Sequence, residues 1–504
     1  MAIGWKVVYG GKTPPLGEAV APDERLSWGR TAGLGAQHVV AMFGATFVFP
    51  IIMGLNPQLA VLMSGIATIC FLLIVQGKVP SYLGTSASFV GGAAAIYAQG
   101  GNAADVTGAV LVAGVVLAIV GLLIHRAGTG ALHAVLPPVV TGAVVMLIGF
   151  NLAPVVATVY WPQDQWIALI TMSVVILMAV GLRGFFGRIA VFLGLVIGYV
   201  LSWLFDLWFG PITSVLPGQH LIGANGKSCS PEGTYCVATA FPHDRVSWSG
   251  VHDAAWFGFP PHSDFANGVV GWHLPSFSLA FILLMLPAVI ALVAENTGHV
   301  KAVAEMTKRD LDPVMGRAIA ADGVGTVLAS VVGGSPTTTY AENIGVMAAT
   351  RVYSTAAYFV AAAVAILFGL CPKFGALVSA TPGGVLGGIT VVLYGMIGLL
   401  GAKIWKENRV DFANPVNLVP VAAGIIIAIG STSLVFSSNF TLGGIALGTI
   451  VVLVAYHVAR AIAPRELVEE DVNLIVVDRP GVQTDEGPGQ TTGPTGRDPY
   501  EPTR

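Results

Sequence analysis

Apolar residues recur along this chain from about residue 31 to about residue 463, with only short polar breaks between the stretches. The stretches are about 20 residues long, the length at which an α-helix crosses the roughly 30 Å hydrocarbon core of a bilayer. The pattern therefore predicts an all-α polytopic membrane protein rather than a soluble domain.

The stretches predict fourteen transmembrane segments in two sets of seven. The first set lies near residues 31–54, 58–76, 80–98, 106–125, 132–157, 165–182 and 187–209. The second set lies near residues 274–298, 318–333, 337–350, 354–371, 380–401, 416–433 and 440–463. The chain is thereby divided into an N-terminal arm (1–30), segments 1–7 (31–209), a polar loop (210–273), segments 8–14 (274–463) and a tail (464–504).

Basic residues fall almost entirely on one side of the membrane that this count defines. The short loops on the N-terminal side hold fourteen Lys and Arg residues, whereas those on the other side hold only Lys373. The positive-inside rule then predicts that both termini are cytoplasmic, in the plasma membrane, and that the loop at 210–273 is extracytoplasmic. Seven crossings per half is an odd number, so two repeated halves must be inverted relative to each other.

The third segment of each half is a poor membrane helix. Residues 80–92 and 333–346 are rich in Gly, Pro, Ser and Thr, which expose backbone groups that lipid cannot satisfy. Interrupted segments at matching positions indicate a transporter binding site, because each half-helix offers unpaired N–H groups where it begins. The alternative is two tightly packed crossings of small residues.

Composition and the regions outside the segments restrict the possible partners and cofactors. Of 504 residues, 55% are hydrophobic and 10% charged, and a net charge of -3 without a basic face excludes nucleic acid as a partner. Residues 1–30 lack a signal-peptide pattern and are interpreted as a cytoplasmic arm. The spacing of Cys229 and Cys236 suits a disulfide within the loop, and free thiols are the alternative. The histidines of the same loop lack the spacing of a zinc site, so no metal or cofactor is expected. The tail at 464–504 is predicted to be disordered.

Two carboxylates inside spans are functional candidates, because a charge in the membrane costs a few kcal/mol. Glu295 ends an apolar run, and His299 follows four residues later on the same predicted helix face. Such a pair can hold and pass a proton. The alternative is a static polar clamp between helices.

The second carboxylate, Glu342, lies in the interrupted tenth segment. It follows Thr339 and Tyr340 and precedes Asn343, near the expected start of a half-helix. This mixture of donors and acceptors suits a neutral planar ligand with adjacent N–H and C=O groups, whereas a carboxylate would repel an anion. A capping network without a ligand is the alternative.

Weaker candidates lie in the first and twelfth segments. Gln37 and His38 form a polar pair that either contacts a ligand or joins two helices. Tyr394 either faces the site or packs as an interface aromatic.

Several stretches resemble the nucleobase/ascorbate transporters, also called nucleobase:cation symporter family 2, and within them the uracil and pyrimidine permeases. In order along the chain they are QHVVAMFGATFVFPIIMG (37–54), PSYLGTSASFVGG (80–92), LVAENTGHVKAVAEMT (292–307), GGSPTTTYAENIGVMAATRVYS (333–354) and GGITVVLYGMIG (387–398). The YAENIGVMA wording is the most specific, and the resemblance covers almost the whole membrane portion.

The resemblance implies fourteen segments with inverted halves, a core domain of segments 1–4 and 8–11, a gate domain of segments 5–7 and 12–14, and a homodimer. It implies that Glu295 and Glu342 bind base N–H groups, with His299 assisting proton coupling. Backbone near Ala87 and Ala341 would meet the base carbonyls. Uracil permeases carry Phe where this chain has Ala87, so a bulkier base or a neighbour such as Phe89 could fill that space.

The expected activity is proton-coupled import of uracil, and of related pyrimidines or xanthine. The alternative is an anion transporter or exchanger of the same inverted-repeat fold, with the half-helix starts holding a charged ligand. An intramembrane enzyme is not supported, since the sequence holds neither HExxH nor G-x-S-x-G.

Overall fold

The computed structural model describes residues 4–15, 17–128, 130, 134–183, 185–214, 240–265, 269–430, 432–437 and 440–467. The predicted bridge between Cys229 and Cys236 and nearly all of the predicted tail lie outside these residues.

Helices dominate the described residues. In chain order the principal ones are α1 (Trp28–Ile52), α2 (Pro57–Ile74), α3 (Val90–Ala98), α4 (Ala103–Ala127), α5 (Pro138–Asn151), α6 (Gln165–Gly181), α7 (Ala190–Phe209), α8 (Leu279–Thr307), α9 (Asp312–Val331), α10 (Ala341–Thr350), α11 (Thr355–Gly369), α12 (Gly383–Glu407), α13 (Pro415–Ile429) and α14 (Gly444–Ile462). Short helical turns lie at Tyr9–Gly11, Ala87–Phe89, Ala153–Val155, Val156–Tyr160, Trp161–Gln163, Phe185–Arg188, Ser249–Asp253 and Pro372–Ser379.

Four pairs of short strands complete the described secondary structure. They join β1 (Lys6–Val7) to β2 (Glu24–Arg25), β3 (Leu83–Thr85) to β6 (Thr337–Thr339), β4 (Ile212–Ser214) to β5 (Phe241–His243), and β7 (Ser433–Ser437) to β8 (Phe440–Gly443).

Among the described residues, nine helices are long and apolar enough to cross a membrane, or ten if α11 and the bent helix after it form one span. Each predicted segment corresponds to one helix, although α8 continues to Thr307 past the predicted end at 298 and α9 begins at Asp312 before the predicted start at 318. A count of fourteen crossings stays a prediction. Polar residues set some of the boundaries. Asn56 accepts a hydrogen bond from Leu59 N at 2.9 Å before Pro57 opens α2, and Asn414 with Pro415 opens α13 in the same way.

The two halves pack in the same pattern when each helix is exchanged for the one seven places away. Helix α4 packs on α9, and the corresponding pair, α11 and α2, also packs together. Helix α1 packs on α11, and so does the corresponding pair, α8 and α4. Likewise, α6 packs on α12 as α13 packs on α5. Helices α2 and α9 pack on each other, as do α5 and α12, and these pairs map onto themselves. This exchange confirms the predicted repeat.

The strands β3 and β6 cross at the centre of the repeat. They are antiparallel, with Gly84 opposite Thr338 at the middle of the register. A threonine from the neighbouring helix fixes each strand, because Thr68 Oγ1 accepts from Leu83 N at 2.9 Å and Thr326 Oγ1 accepts from Thr337 N at 3.2 Å. An antiparallel pair with matching supports is what an inverted repeat requires, so the predicted extended stretches in segments 3 and 10 are confirmed.

Most of the helices form two bundles that correspond to the predicted core and gate domains. Helices α1, α2, α4, α8, α9 and α11 pack together around the crossed strands, and α5, α6, α7, α12 and α13 pack around one another. The N-terminal arm lies on the first bundle, where Val20 N donates to Arg351 O at 2.9 Å and Thr355 N donates to Pro22 O at 3.0 Å. We call this end of the molecule the N-terminal face.

Candidate functional site

Two half-helices begin beside the crossed strands. Helix α10 begins at Ala341, directly after β6 and Tyr340, and the turn Ala87–Phe89 leads from β3 into α3. Ala341 and Glu342 are exposed, although Tyr340 and Asn343 on either side are buried. The accessible space beside these two residues, which we call the crevice, adjoins the first helical turn, whose N–H groups have no partner within the helix. Ala87 is half-buried at the other start.

Three carboxylates from three helices lie near one another here. Glu295 and Glu342 reach the crevice, whereas Asp322 is fully buried. Glu295 on α8 is half-buried and accepts a 3.5 Å hydrogen bond from Ser88 Oγ. Asp322 on α9 and Glu342 on α10 lie near enough for their charges to interact with it. Glu295 and Glu342, proposed from the sequence as partners in one site, are thus close together.

His299 contacts the crossed strands instead of the carboxylate on its own helix. Its Nδ1 lies 2.8 Å from Thr339 Oγ1, whereas no hydrogen bond joins it to Glu295 among the contacts of the described residues. The Thr339 hydroxyl donates to Asn296 Oδ1 at 2.7 Å. Asn296 Nδ2 then donates to Asp322 Oδ2, also at 2.7 Å.

This chain of hydrogen bonds has one direction. The Thr339 hydroxyl has one proton, and it points to an amide oxygen that can only accept. His299 must therefore donate from Nδ1, which leaves Nε2 as the acceptor in the neutral ring. The tautomer of His299 is fixed in this way by Asn296 and, behind it, by Asp322.

Asp322 and Asn296 were missed in the sequence, although one signal for them was present. Asp322 is fully buried and lies within the predicted span 318–333. The criterion that selected Glu295 and Glu342, a carboxylate within a span, applies equally to it. Asn296 carries no such charge, and only the fold shows that it faces α9.

Tyr340 is a bridge between the two halves. Its hydroxyl donates to Thr85 O at 2.6 Å and accepts from Thr46 Oγ1 at 3.2 Å. The ring lies against Gly84, where an added Cβ would approach Cε2 of Tyr340 to 2.5 Å. The side chain of Tyr340 therefore holds the strand crossing, and its contribution to a ligand would come from the backbone.

The remaining candidates surround this centre. Asn343 Nδ2 donates to His38 O at 2.9 Å, and His38 packs on Tyr358 with ring centroids 4.3 Å apart. Gln37 is half-buried and Phe89 is fully buried. Tyr394 of α12 is also buried.

Tyr394 stacks on Phe49 of α1 with ring centroids 6.3 Å apart and an interplanar angle of 9°. This stack joins the two bundles.

The arrangement suits a small neutral ligand with N–H groups. Carboxylate oxygens at Glu295 and Glu342 accept hydrogen bonds, and the half-helix starts donate them. An anion would meet two carboxylates within the same crevice and would be repelled. The site therefore favours adjacent donor and acceptor groups on one uncharged edge.

Known proteins resemble this chain over most of its length. The sequence model described as "Permease family" matches residues 29–437. A protein of Escherichia coli (strain K12) named "Putative pyrimidine permease RutG" is 43% identical over 439 residues, covering 85% of this chain and 89% of that protein. The "Uracil permease" of Bacillus subtilis (strain 168) is 33% identical over 445 residues, covering 84% and 91%.

Solved structures share the fold at low sequence identity. The transmembrane domain of the cyanobacterial bicarbonate transporter BicA matches with a TM-score of 0.50 and 14% identity, covering 85% of this chain and 96% of that one. The structure of SLC26A9 matches with a TM-score of 0.54 and 11% identity, covering 85% and 64%. At these identities the likeness concerns the fold alone.

Proposed function

This chain belongs to the Permease family of nucleobase transporters, and we propose that it is a proton-coupled symporter that imports uracil, and related pyrimidines, across the plasma membrane. It is a multi-pass membrane permease rather than an enzyme. The names of its relatives support the substrate class. The observation that carries the proposal is that Glu295 and Glu342 lie near enough for their charges to interact, with Glu342 exposed at one half-helix start and Glu295 bonded to Ser88 at the other.

Each polar edge of uracil has a counterpart in this crevice. The carboxylates of Glu295 and Glu342 would accept hydrogen bonds from the base N–H groups. Backbone N–H groups near Ala87 and Ala341, at the two half-helix starts, would donate to the base carbonyls. Ligand groups left unpaired in such a site would each cost about 1–3 kcal/mol, which gives discrimination against bases with a different edge.

Proton coupling is proposed from the same three carboxylates. Three negative charges at one site repel one another, and a proton shared among them relieves that repulsion. His299 presents Nε2 as an acceptor near the site and so offers a second place for a proton. A proton that enters with the base would leave when the bundles move and the crevice opens to the other side.

Uptake into proteoliposomes tests the proposal. We expect Glu342→Gln and Glu295→Gln to reduce uracil uptake driven by a proton gradient to background. Glu305→Gln is the matched control for Glu295→Gln, because Glu305 is exposed on the same helix, ten residues and so about 15 Å further along, and it should retain full uptake. Retained pH-dependent uracil uptake in the Glu342→Gln variant would contradict the assignment.

Competition distinguishes the substrates. Labelled uracil uptake should be reduced by thymine and other pyrimidines that keep the same edge, and the comparison with xanthine, hypoxanthine and cytosine defines the width of the site. Measurements at two pH values, with and without a proton gradient, show the coupling. Competition by bicarbonate or sulfate would instead support the anion-transporter alternative.

A further inference from the structure

The loop between α7 and α8 carries three exposed aromatic side chains in one short stretch. Trp256, Phe257 and Phe259 are 77%, 73% and 76% exposed. Contiguous apolar patches of this kind are uncommon on surfaces that face water, and they mark an interaction site. The predicted function leaves this stretch without a role.

Main-chain hydrogen bonds fix this aromatic stretch at the end of α11. Gly258 N donates to Leu370 O at 2.9 Å, and Lys373 N donates to Ala255 O at 2.9 Å. Helix α11 begins at the N-terminal face, where Thr355 contacts the arm, and it ends at Gly369. The aromatic stretch therefore lies at the opposite membrane boundary and not far out in solution.

The surface of α11 connects this stretch to the lipid-facing side of the bundle. Leu367, one turn before Leu370, is 65% exposed on a helix in the membrane. Lys373 lies beside the aromatic rings, with Nζ 5.2 Å from the centroid of the Trp256 ring. Aromatic rings and a lysine at the end of a span are the composition of a membrane interface, where the rings enter the headgroup region and the ammonium reaches phosphate.

We propose that Trp256, Phe257 and Phe259 insert into the lipid headgroup region, so that this half of the loop anchors the first bundle to the membrane surface opposite the N-terminal face. Lys373, an exception in the distribution of basic residues, lies at the phosphate level in this arrangement. The other half of the loop is bound differently. Arg245 forms ion pairs with Asp164 and Asp206, at 2.7 and 3.0 Å, on the second bundle.

Tryptophan quenching in proteoliposomes tests the anchor. The fluorescence difference between the protein and its Trp256→Phe variant isolates Trp256 among the ten tryptophans. In phosphatidylcholine vesicles brominated at the 6 and 7 acyl positions, we expect the Trp256 component to lose more than half of its intensity. Iodide, present on both sides of the vesicles, should quench it much less.

Trp248 provides the matched control within the same loop. It packs on Tyr199 of the second bundle with ring centroids 5.8 Å apart, beside the Arg245 ion pairs. The component lost in Trp248→Phe should respond less to brominated lipid than the Trp256 component. Strong iodide quenching of Trp256 without lipid quenching would place the loop in water and overturn the proposal. Quenching by neither probe would indicate protein covering it, such as a second copy, and would also overturn it.

Discussion

Asn296 donates a 2.7 Å hydrogen bond to Asp322, which joins the helix that carries Glu295 and His299 to a fully buried carboxylate on α9. The same asparagine accepts from Thr339, so one side chain connects two helices and a strand of the crossing. The orientation of His299 therefore depends on residues that do not themselves reach the open crevice.

We predict that Thr339→Val strongly reduces uptake, while Thr339→Ser retains most of it. Valine has nearly the same shape as threonine but cannot accept from His299 or donate to Asn296. The buried Asn296 and the half-buried His299 then each lose a partner, at about 1–3 kcal/mol for a buried group, which corresponds to tenfold or more in the population of the competent site. Uracil uptake measured across pH checks this. Equal uptake profiles for the two variants would show that the hydroxyl is not needed.

We predict that Gly84→Ala destabilises the protein by about 1–3 kcal/mol. An added Cβ would lie 2.5 Å from the Tyr340 ring and from Thr46 Oγ1, so Tyr340 would lose its hydrogen bond to Thr85 O. Gly33→Ala in α1 is the control, because a Cβ there meets nothing within 4 Å. The midpoint of thermal unfolding in detergent should fall for the first variant only.

The sequence was sufficient for the fold because its main signals are local. Span length and the basic residues on one side give the segments, and Gly, Pro, Ser and Thr at 80–92 and 333–346 mark the two interruptions. The strand register could not be predicted, since it depends on how Gly84 and Thr338 meet across the repeat. Local patterns carry no information on such a pairing.

The site was predictable only in part, for the same reason. Glu295 and Glu342 stand out as carboxylates in apolar surroundings, so their positions follow from composition. The hydrogen-bond partner of His299 does not follow from composition. A spacing of four residues on a helix suggested Glu295, whereas a strand that crosses the bundle brings Thr339 to its Nδ1. Contacts between elements that are distant in sequence therefore override contacts along the helix.

We predict that the Phe49–Tyr394 stack couples the two bundles energetically. The stack is nearly parallel, and aromatic pairs of this kind contribute about 0.5–1.5 kcal/mol beyond their buried area. Phe49→Ala and Tyr394→Ala should each change the uracil concentration for half-maximal uptake, and the double variant should change it by less than the product of the two single effects. Tyr394→Phe keeps the ring and should behave like the unmodified protein. Independent effects in the cycle would show that the contact does not link the bundles during transport.

We predict that docking of the N-terminal arm depends on pH through Asp23. Arg309 donates a 2.7 Å hydrogen bond to Asp23 Oδ1, and this bond holds the pKa of Asp23 below its ordinary value. A lowered pKa in the docked arm means that ionised Asp23 stabilises docking above its ordinary pKa. That contribution is lost as the pH falls through the lowered pKa.

Hydrogen exchange at the Val20 and Tyr353 amides, which bond the arm to the loop after α10, measures this docking. At neutral pH, Asp23→Asn should exchange faster by about two- to fivefold, a modest change because the pair is largely exposed. The difference in exchange rate between this variant and the unmodified protein should shrink toward zero in acid. Adding Arg309→Gln to Asp23→Asn should not increase the exchange rate further. A difference that grows in acid would mean that another group holds the arm.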